Sequence, residues 1–556
     1  MDRIVECVPN FSEGRDRTVI DRITRRIEAV AGVRLLDVDC GRDTNRTVVT
    51  FAGEPEAVLE AAFAAISTAA ELIDMRRHRG GHARLGAVDV CPFVPVAGVT
   101  MAECVELARR LGRRVAEELA IPVFLYGEAA AADERRSLAW LRAGEYEGLE
   151  QKLRRPDFQP DFGVAVFNPR SGATVIGARG FLIAFNINLN TRNARLAQEI
   201  AVRLRHRGGR VRNRATGAME TVTGLLPAVQ AVGWYIEEYG LAQVSVNLID
   251  FHTTPLYRLF DEAERLAGES GLRVTGSELV GLVPLAAIVE CGRHYLQRQG
   301  QCRGAAEAEL VRVAVQSLGL NEVASFEPSQ KILEYRLRPA GPLVSLPFTA
   351  FVDELASGSP APGGGSVAAL AGALAAALAA MVGNLTFGKK GYEAVWAEME
   401  AMAIRAQELK QFFLAAVDRD TAAFNQVMAA VRLPSRSEAD QAHRAGQIAA
   451  ATREATLVPL AVLEKAAEAA DLARQAVRTG NRNSLSDAGV AAMAAALAGL
   501  GALYNVMINL GQLDDPAFTA AVRRQALDLQ GRIEAVVSEV KLDLNRNLVG
   551  DPMASS

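Results

Sequence analysis

The chain of 556 residues lacks a surplus of either charge: 61 Lys and Arg stand against 65 Asp and Glu, a net of −4. A general nucleic-acid binder shows a basic face, so no nucleic-acid partner is expected. Paired cysteines are missing too. Cys7, Cys40, Cys91, Cys104, Cys291 and Cys302 form no CxxC, which argues against a zinc ribbon or a disulfide framework. Free thiols fit a reducing compartment, the cytoplasm. No apolar region follows the opening Met1-Asp2-Arg3-Ile4, so no secretory signal is expected there. The run VAALAGALAAALAAMV at 367–382 falls short of the ~20 residues of a spanning helix and is built on alanine. It reads as a helix packed tightly against others, with no membrane partner.

What is present changes character near residue 340. At roughly 100–200 residues per domain the length predicts three or four folding units. Before 340, apolar runs with period two alternate with amphipathic stretches. Strands are expected at 4–11, 33–40, 46–52, 88–95 and 122–127, and helices at 18–30, 55–73 and 101–120. A second set follows: strands at 180–189, 229–238, 244–250 and 273–281, helices at 194–204, 254–269 and 284–299. That is the β-α-β-β-α-β order of a ferredoxin-like unit. The segment RLRPAGPLVSL, 336–346, carries two prolines and a glycine and is the expected linker. Beyond it the sequence is rich in Ala, Leu, Glu, Gln and Arg with helical periodicity, as in an all-α bundle.

Four constellations carry candidate chemistry. In HRGGHARLGAVDVCPF, 78–93, His78 and His82 are four apart, but Gly80 and Gly81 break a helix and no acid stands between them as in HExxH, so a metal pair is disfavoured. The functional reading is a base on a loop; the plain one is a histidine in a glycine-rich turn. In LLDVDC, 35–40, Asp37 and Asp39 share one sheet face, where carboxylates either orient a histidine or, more often, are solvated. The TNRT turn after it, with Asn45, offers polar groups to a substrate or is an ordinary turn. SPAPGGGSVAAL, 359–370, leads into the Ala-rich helix without the Lys of a P-loop; its unpaired N–H groups, with Ser366 as candidate cap, suit a carboxylate or carbonyl oxygen. Finally, Asp420 lies on the apolar stripe Phe413, Val417, Phe424, Val427 and Val431 of one helix, while Asp418 faces elsewhere. A carboxyl there is either tied to a partner or held with a raised pKa as an acid or base.

Longer stretches have a family likeness. VECVPNFSEG (5–14), LLDVDCGRDTNRTV (35–48), LIDMRRHRGGHARLGAVDVCPF (72–93), PVFLYGEAA (122–130), RAGEYEGL (142–149) and FLIAFNINL (181–189) resemble the formiminotransferase domain. APGGGSVAAL (361–370), VDRDTAAF (417–424) and GNRNSLSDAGVAA (480–492) resemble the cyclodeaminase domain, in the order of the bifunctional formimidoyltransferase-cyclodeaminase family. The resemblance implies an α+β half of two ferredoxin-like α/β-sandwich subdomains, 1–180 and 181–335, the linker 336–346, and an all-α helical bundle, 347–556. It implies transfer of a formimino group from formiminoglutamate to tetrahydrofolate, then ring closure with loss of ammonia. His82 is implied as the base, oriented by Asp39, with Arg84 close by, and Asp420 as the catalytic group of the second domain. The segment DFGVAVFNPRSG (161–172), with Gly163, Phe167, Asn168 and Gly172, is implied as folate-binding, and substrate or folate contacts are expected from Arg84, Asn10, Asn45 and the turn Gly363, Gly364, Gly365 and Ser366. Tetrahydrofolate is then a co-substrate, with no tightly bound cofactor and no metal, and the family's members are homo-oligomers. The Arg-rich stretch 202–214 is either a solvated loop or a landing place for an anionic polyglutamate tail. Two rivals remain: a second domain that is a methenyltetrahydrofolate cyclohydrolase, and a folate-binding scaffold with dead sites.

Overall fold

The computed structural model describes residues 3–212, 216–337 and 341–549. Among them, 3–291 with 314–337 form one compact unit and 292–313 with 341–549 form another. The first half opens with β1 (Ile4–Cys7), β2 (Asn10–Phe11), α1 (Arg17–Glu28), β3 (Val33–Gly41), β4 (Arg46–Gly53), α2 (Pro55–Leu72) and β5 (Val88–Ala97). It continues with α3 (Met101–Leu119), β6 (Val123–Gly127), α4 (Leu138–Arg142), α5 (Glu145–Leu153) and β7 (Thr174–Ala178). The strands form one mixed sheet in the order β3-β4-β1-β5-β7-β6, with β2 extending β1 between β4 and β5. The first four run antiparallel, and β7 joins β5 and β6 in parallel. Helix starts follow the side chains that precede them. Asp16 accepts from Thr18 N at α1, and Thr100 with Glu103 forms a capping box at α3. Cys7, Phe11, Phe51, Phe93, Ile23 and Ile66 are buried in the core between sheet and helices.

The next segment holds β8 (Ile183–Leu189), α6 (Ala194–Leu204), β9 (Gly209–Arg212), β10 (Met219–Val222), β11 (Val229–Ile236), β12 (Leu241–Leu248), α7 (Leu256–Glu269) and β13 (Val274–Val280). Its antiparallel sheet has the order β11-β12-β8-β13. Strand alternation divides β8: the Phe185 ring packs on Phe260 of α7, while Asn186 and Asn188 point the other way and bond to Glu278 and Glu322. The connectivity β8-α6-β11-β12-α7-β13 repeats that of β1-α1-β3-β4-α2-β5, and the two sheets place corresponding strands in the same order. One insertion separates them. Where the first half passes directly from α1 to β3, the second inserts the antiparallel ribbon β9–β10, whose first strand lies within the Arg-rich stretch. Arg214 falls outside the described residues.

Helices follow: α8 (Leu285–Arg298), α9 (Glu307–Ser317), α10 (Pro328–Lys331), α11 (Leu333–Leu337), then α12 (Phe348–Leu355), α13 (Gly364–Thr386), α14 (Trp396–Val431), α15 (Glu438–Thr479), α16 (Leu485–Leu510) and α17 (Pro516–Leu544). Within the second unit α13 packs against α14, α15 and α16. Its faces are alanine and glycine, which let helix backbones approach closely, so Ala368, Ala369, Ala375, Ala376 and Ala379 are fully enclosed. Two segments, Gly364–Thr386 and Arg482–Leu510, are long and apolar enough to cross a membrane; 67% of the apolar window of the first is buried inside the protein. Of the expected linker, 338–340 lie outside the described residues. At its end, Leu343 N and Val344 N donate to the Asp418 carboxylate at 2.8 and 3.3 Å.

Candidate active sites

The loop from α2 to β5 packs on the turn between β3 and β4. Gly80 is needed at the contact, because a Cβ there would stand 2.1 Å from the Thr44 carbonyl oxygen. Asn45, with φ +48°, joins three loops: its Oδ1 accepts from Gly14 N at 3.0 Å and its Nδ2 donates to Arg79 O at 2.9 Å. Both polar atoms of the Asn45 side chain are thus engaged within the protein. Asn10 is committed similarly, donating to Val8 O and accepting from Arg46 Nε at 3.1 Å.

The two histidines differ sharply. His78 is buried and its Nε2 lies 2.8 Å from Asn45 O. A carbonyl only accepts, so Nε2 carries the proton, and Nδ1 accepts from Arg84 Nε at 3.3 Å. Both ring nitrogens are used. His82 is half-buried, and its Nδ1 lies 2.7 Å from Ala83 O, which puts the proton on Nδ1. Its Nε2 has no hydrogen-bond partner among the described residues. Nearby Arg46, then burial and Arg142, push the His82 pKa down to about 3, so the imidazole is neutral with a bare lone pair on Nε2.

The arginines are held by a residue the motifs did not single out. Asp89, fully buried at the start of β5, accepts from Leu85 N at 3.0 Å, pairs with Arg46 Nη1 at 2.6 Å and pairs with Arg142. Burial alone would raise its pKa, but Arg142 and Arg46 hold the carboxylate well below its usual range. The signal available in sequence was an acid flanked by valines in VDV. Arg84 is buried too, and its guanidinium pairs with Glu145 and Glu147 at 2.7 and 2.6 Å. Arg79, Gly80, Arg84, Gly144, Glu145 and Glu147 line a depression of about 470 Å³.

Asp39 departs from its expected place. Its Oδ2 accepts from Gly281 N at 3.1 Å and lies 3.7 Å from Lys331 Nζ. No Asp39–His82 hydrogen bond is present; the tautomer of His82 is set by the Ala83 carbonyl instead. The physical reason is position: Asp39 sits on β3, the edge strand beyond β4, where it meets the end of β13. In the segment 161–172, Asp161 anchors the start by accepting from Leu125 N, and Asn168 Oδ1 accepts from Arg170 N and Ser171 N, closing a turn. Gly163 and Gly172 have positive φ, and Phe167 packs on the Tyr146 ring at 5.4 Å. Between them Val164 and Val166 are 69% and 65% exposed, forming an apolar lip.

The helical unit builds the second site around Asp420. The stripe of α14 is buried at Phe413 and Val417, and Asp420, one turn on, is half-buried. Ser366 was expected to cap α13, but the helix begins one turn earlier, at Gly364 with Gly363 as N-cap. Ser366 therefore lies in the first turn, where its Oγ donates to Val417 O at 2.9 Å and to Asp420 Oδ2 at 3.2 Å. Burial raises the Asp420 pKa, partly offset by hydrogen bonds from the Ser366 side chain and backbone. Contact with the glycine turn is close: a Cβ on Gly365 would stand 2.1 Å from Asp420 Oδ1. Among the described residues no three His, Cys, Asp or Glu side chains converge as a metal-binding group.

Known proteins show which family the chain is similar to. The patterns described as "Formiminotransferase domain, N-terminal subdomain", "Formiminotransferase domain" and "Formiminotransferase-cyclodeaminase" match residues 4–179, 184–338 and 347–528. The pig formimidoyltransferase-cyclodeaminase is 45% identical over 545 residues, 97% of either chain. The chain belongs to the formimidoyltransferase-cyclodeaminase family. Shorter relatives match part of the chain. The glutamate formimidoyltransferase of Streptococcus pyogenes is 40% identical over 297 residues, 53% of this chain and 94% of its own. The methenyltetrahydrofolate cyclohydrolase of Methylorubrum extorquens is 42% identical over 168 residues, 30% of this chain and 81% of its own.

Proposed function

We propose that this chain moves the formimino group of N-formimino-L-glutamate to N5 of tetrahydrofolate, then closes 5-formiminotetrahydrofolate to 5,10-methenyltetrahydrofolate with release of ammonia. The observation that carries this reading is the likeness, over nearly the whole of both chains, to an enzyme named for both activities. In the first step N5 attacks the formimino carbon. His82 Nε2, bare and neutral, takes the N5 proton and returns it to the glutamate nitrogen as that leaves. Asp39 serves at one remove, tying β3 to Gly281. The lip at Val164 and Val166, with Gly163, Phe167, Asn168 and Gly172 behind it, is read as a folate contact. Arg84 and the depression beside it are read as a place for substrate carboxylate.

In the second step N10 attacks the same carbon. Asp420 takes the N10 proton and gives it to the departing nitrogen, and its raised pKa suits both roles. With the Ser366 N–H bonded to Asp420, the N–H groups of Gly364 and Gly365 at the head of α13 are read as the place for a carbonyl or carboxylate of the folate. Tetrahydrofolate is a co-substrate, and the reaction belongs to histidine breakdown and one-carbon metabolism. Both halves of the transferase are read as ferredoxin-like, 1–180 and 181–335, from their shared strand order. A cytoplasmic setting is supported by six free thiols. Self-association is supported by Val490, Leu497, Tyr504 and Ile508, exposed along one side of α16. The ribbon β9–β10 is read as the landing place of a polyglutamate tail: Arg207, Arg210 and Arg212 are exposed and form no ion pair among the described residues.

The likeness to a cyclohydrolase favours a second reading, in which the helical domain hydrolyses methenyltetrahydrofolate. Purified protein mixed with formiminoglutamate and tetrahydrofolate, with glutamate, ammonia and methenyltetrahydrofolate followed together, separates the two. Ammonia and methenyltetrahydrofolate appearing in equal amounts support the deaminase. Glutamate release with no ammonia favours the cyclohydrolase, and no glutamate release sinks the transferase.

A further inference from the structure

The glycine turn at the head of α13 has a polar neighbour that no sequence motif contains. Asp420 of α14 lies against Gly365, and on the adjoining residue a Cβ at Gly364 would stand 3.6 Å from Nδ2 of Asn505. Asn505 comes from α16, so consecutive residues of the turn are flanked by a carboxyl from one helix and an amide from another. The amide is oriented: its Nδ2 donates to Gly501 O, one turn back, at 2.8 Å. That bond leaves Oδ1 with no partner among the described residues, in a half-buried side chain. Asparagine is a poor helix former, and its neighbours Ala502, Leu503 and Val506 are core residues.

We propose that Asn505 Oδ1 accepts a hydrogen bond from the nitrogen that leaves as ammonia; this rests on the deaminase reading of the Asp420 site. During ring closure the N10–C bond forms, the N10 proton passes to Asp420 and from there to the former imino nitrogen, and the C–N bond breaks. The bridge keeps its single positive charge and ammonia carries away the transferred proton. The reacting nitrogen begins as a planar group with two N–H bonds and departs with three. One extra donor therefore appears between ground state and transition state. Asp420 alone cannot accept from all of them while it is also handing over a proton. A second acceptor, held beside the turn by the bond of the same amide to Gly501 O, stabilises the nitrogen most when it is most protonated, an effect expressed in kcat more than in KM.

Asn505→Leu in the full chain, close in shape but without an acceptor, should lower kcat for ammonia release from added 5-formiminotetrahydrofolate by about 10- to 100-fold, the loss of one hydrogen bond to a charged group. KM should stay within about twofold, and transfer from formiminoglutamate should be unchanged. Asn505→Asp, which restores an acceptor, should recover a large part of the loss. If the leucine variant does not fold, Asn505→Ser carries the same expectation, because the shorter side chain cannot reach. A folded variant that releases ammonia at the parental rate overturns the proposal. So does an aspartate variant no better than the leucine one, the pattern expected if the amide only supports α16. A parent chain that releases no ammonia overturns the deaminase reading and this inference with it.

Discussion

His82 owes its protonation state to residues far from it in sequence. A histidine at its ordinary pKa of ~6.5 would give a transfer rate that falls on acidification through that value. With Arg46, burial and Arg142 pushing it down to about 3, the His82 limb in kcat/KM should lie well below pH 6. Removing a positive neighbour raises the pKa, so Arg142→Gln should bring the limb back toward 6.5, measured as transfer kcat/KM against pH. The stability sign follows from the same shift. The unfolded chain takes up this proton first as pH falls below ~6.5, so acidification favours unfolding. His82→Ala should cut transfer by about 10²–10⁴-fold and spare ring closure, whereas His78→Ala should chiefly lower Tm, since both His78 nitrogens are bonded. In the second site, Asp420→Asn should abolish ammonia release, retain transfer and accumulate formiminotetrahydrofolate. Asp418→Asn should lower Tm and leave turnover in place, because Asp418 only holds the 343–344 turn. The loop by itself offers His78 and His82 alike, and only the family likeness selects His82; Asp420 stands out by its place on an apolar stripe. The sequence did not make Asp89 or Asn505 legible, because their meaning depends on partners 43 and 141 positions away that only folding brings near.

At the scale of elements, period two and period 3.6 are readable for most strands and helices of the first half, where one face lies on a core and the other does not. Periodicity leaves out α5, α9 and β7, the last buried along its whole length with no alternation to read, and it misses features set by ends and insertions. Taking Ser366 as a cap puts the head of α13 one turn too late, and three glycines give no pattern to contradict it. The ribbon β9–β10 was invisible because neither strand has a wholly buried face; of Gly209–Arg212 only Val211 is buried. If this ribbon holds a polyglutamate tail, Arg207→Gln, Arg210→Gln and Arg212→Gln together should raise KM for polyglutamylated tetrahydrofolate and leave monoglutamate unchanged. The difference should shrink with added salt, as for exposed charges. Equal constants for the two folates in parent and variant return the ribbon to a solvated hairpin.

For the whole molecule, the composition break near 340 was legible, but the allocation of 292–313 to the helical unit was not. That segment is held by tertiary bonds: Gly304 O accepts from Asn384 and Gln407 at 3.0 and 3.1 Å, and Arg303 pairs with Glu400 at 2.7 Å. A fragment ending near Leu337 should transfer, and one starting near Leu346 should close the ring, but the second lacks 292–313 and should melt lower than its counterpart in the full chain. Glu400→Gln should lower the same transition in the full chain and leave transfer intact; calorimetry with both assays tests this. Fragments that fold yet show neither activity would mean that each site borrows from the other part. The matching strand orders of the two transferase halves, β3-β4-β1-β5 and β11-β12-β8-β13, have a genealogical consequence. Tandem copying of one ancestral module leaves this signature when side chains have diverged beyond recognition. On such a history each descendant has its own addition, α3 with β6 and β7 in one and the arginine ribbon in the other. The His82 loop and the ribbon are then separate acquisitions grafted onto siblings, and a lineage that lost the ribbon would keep the chemistry.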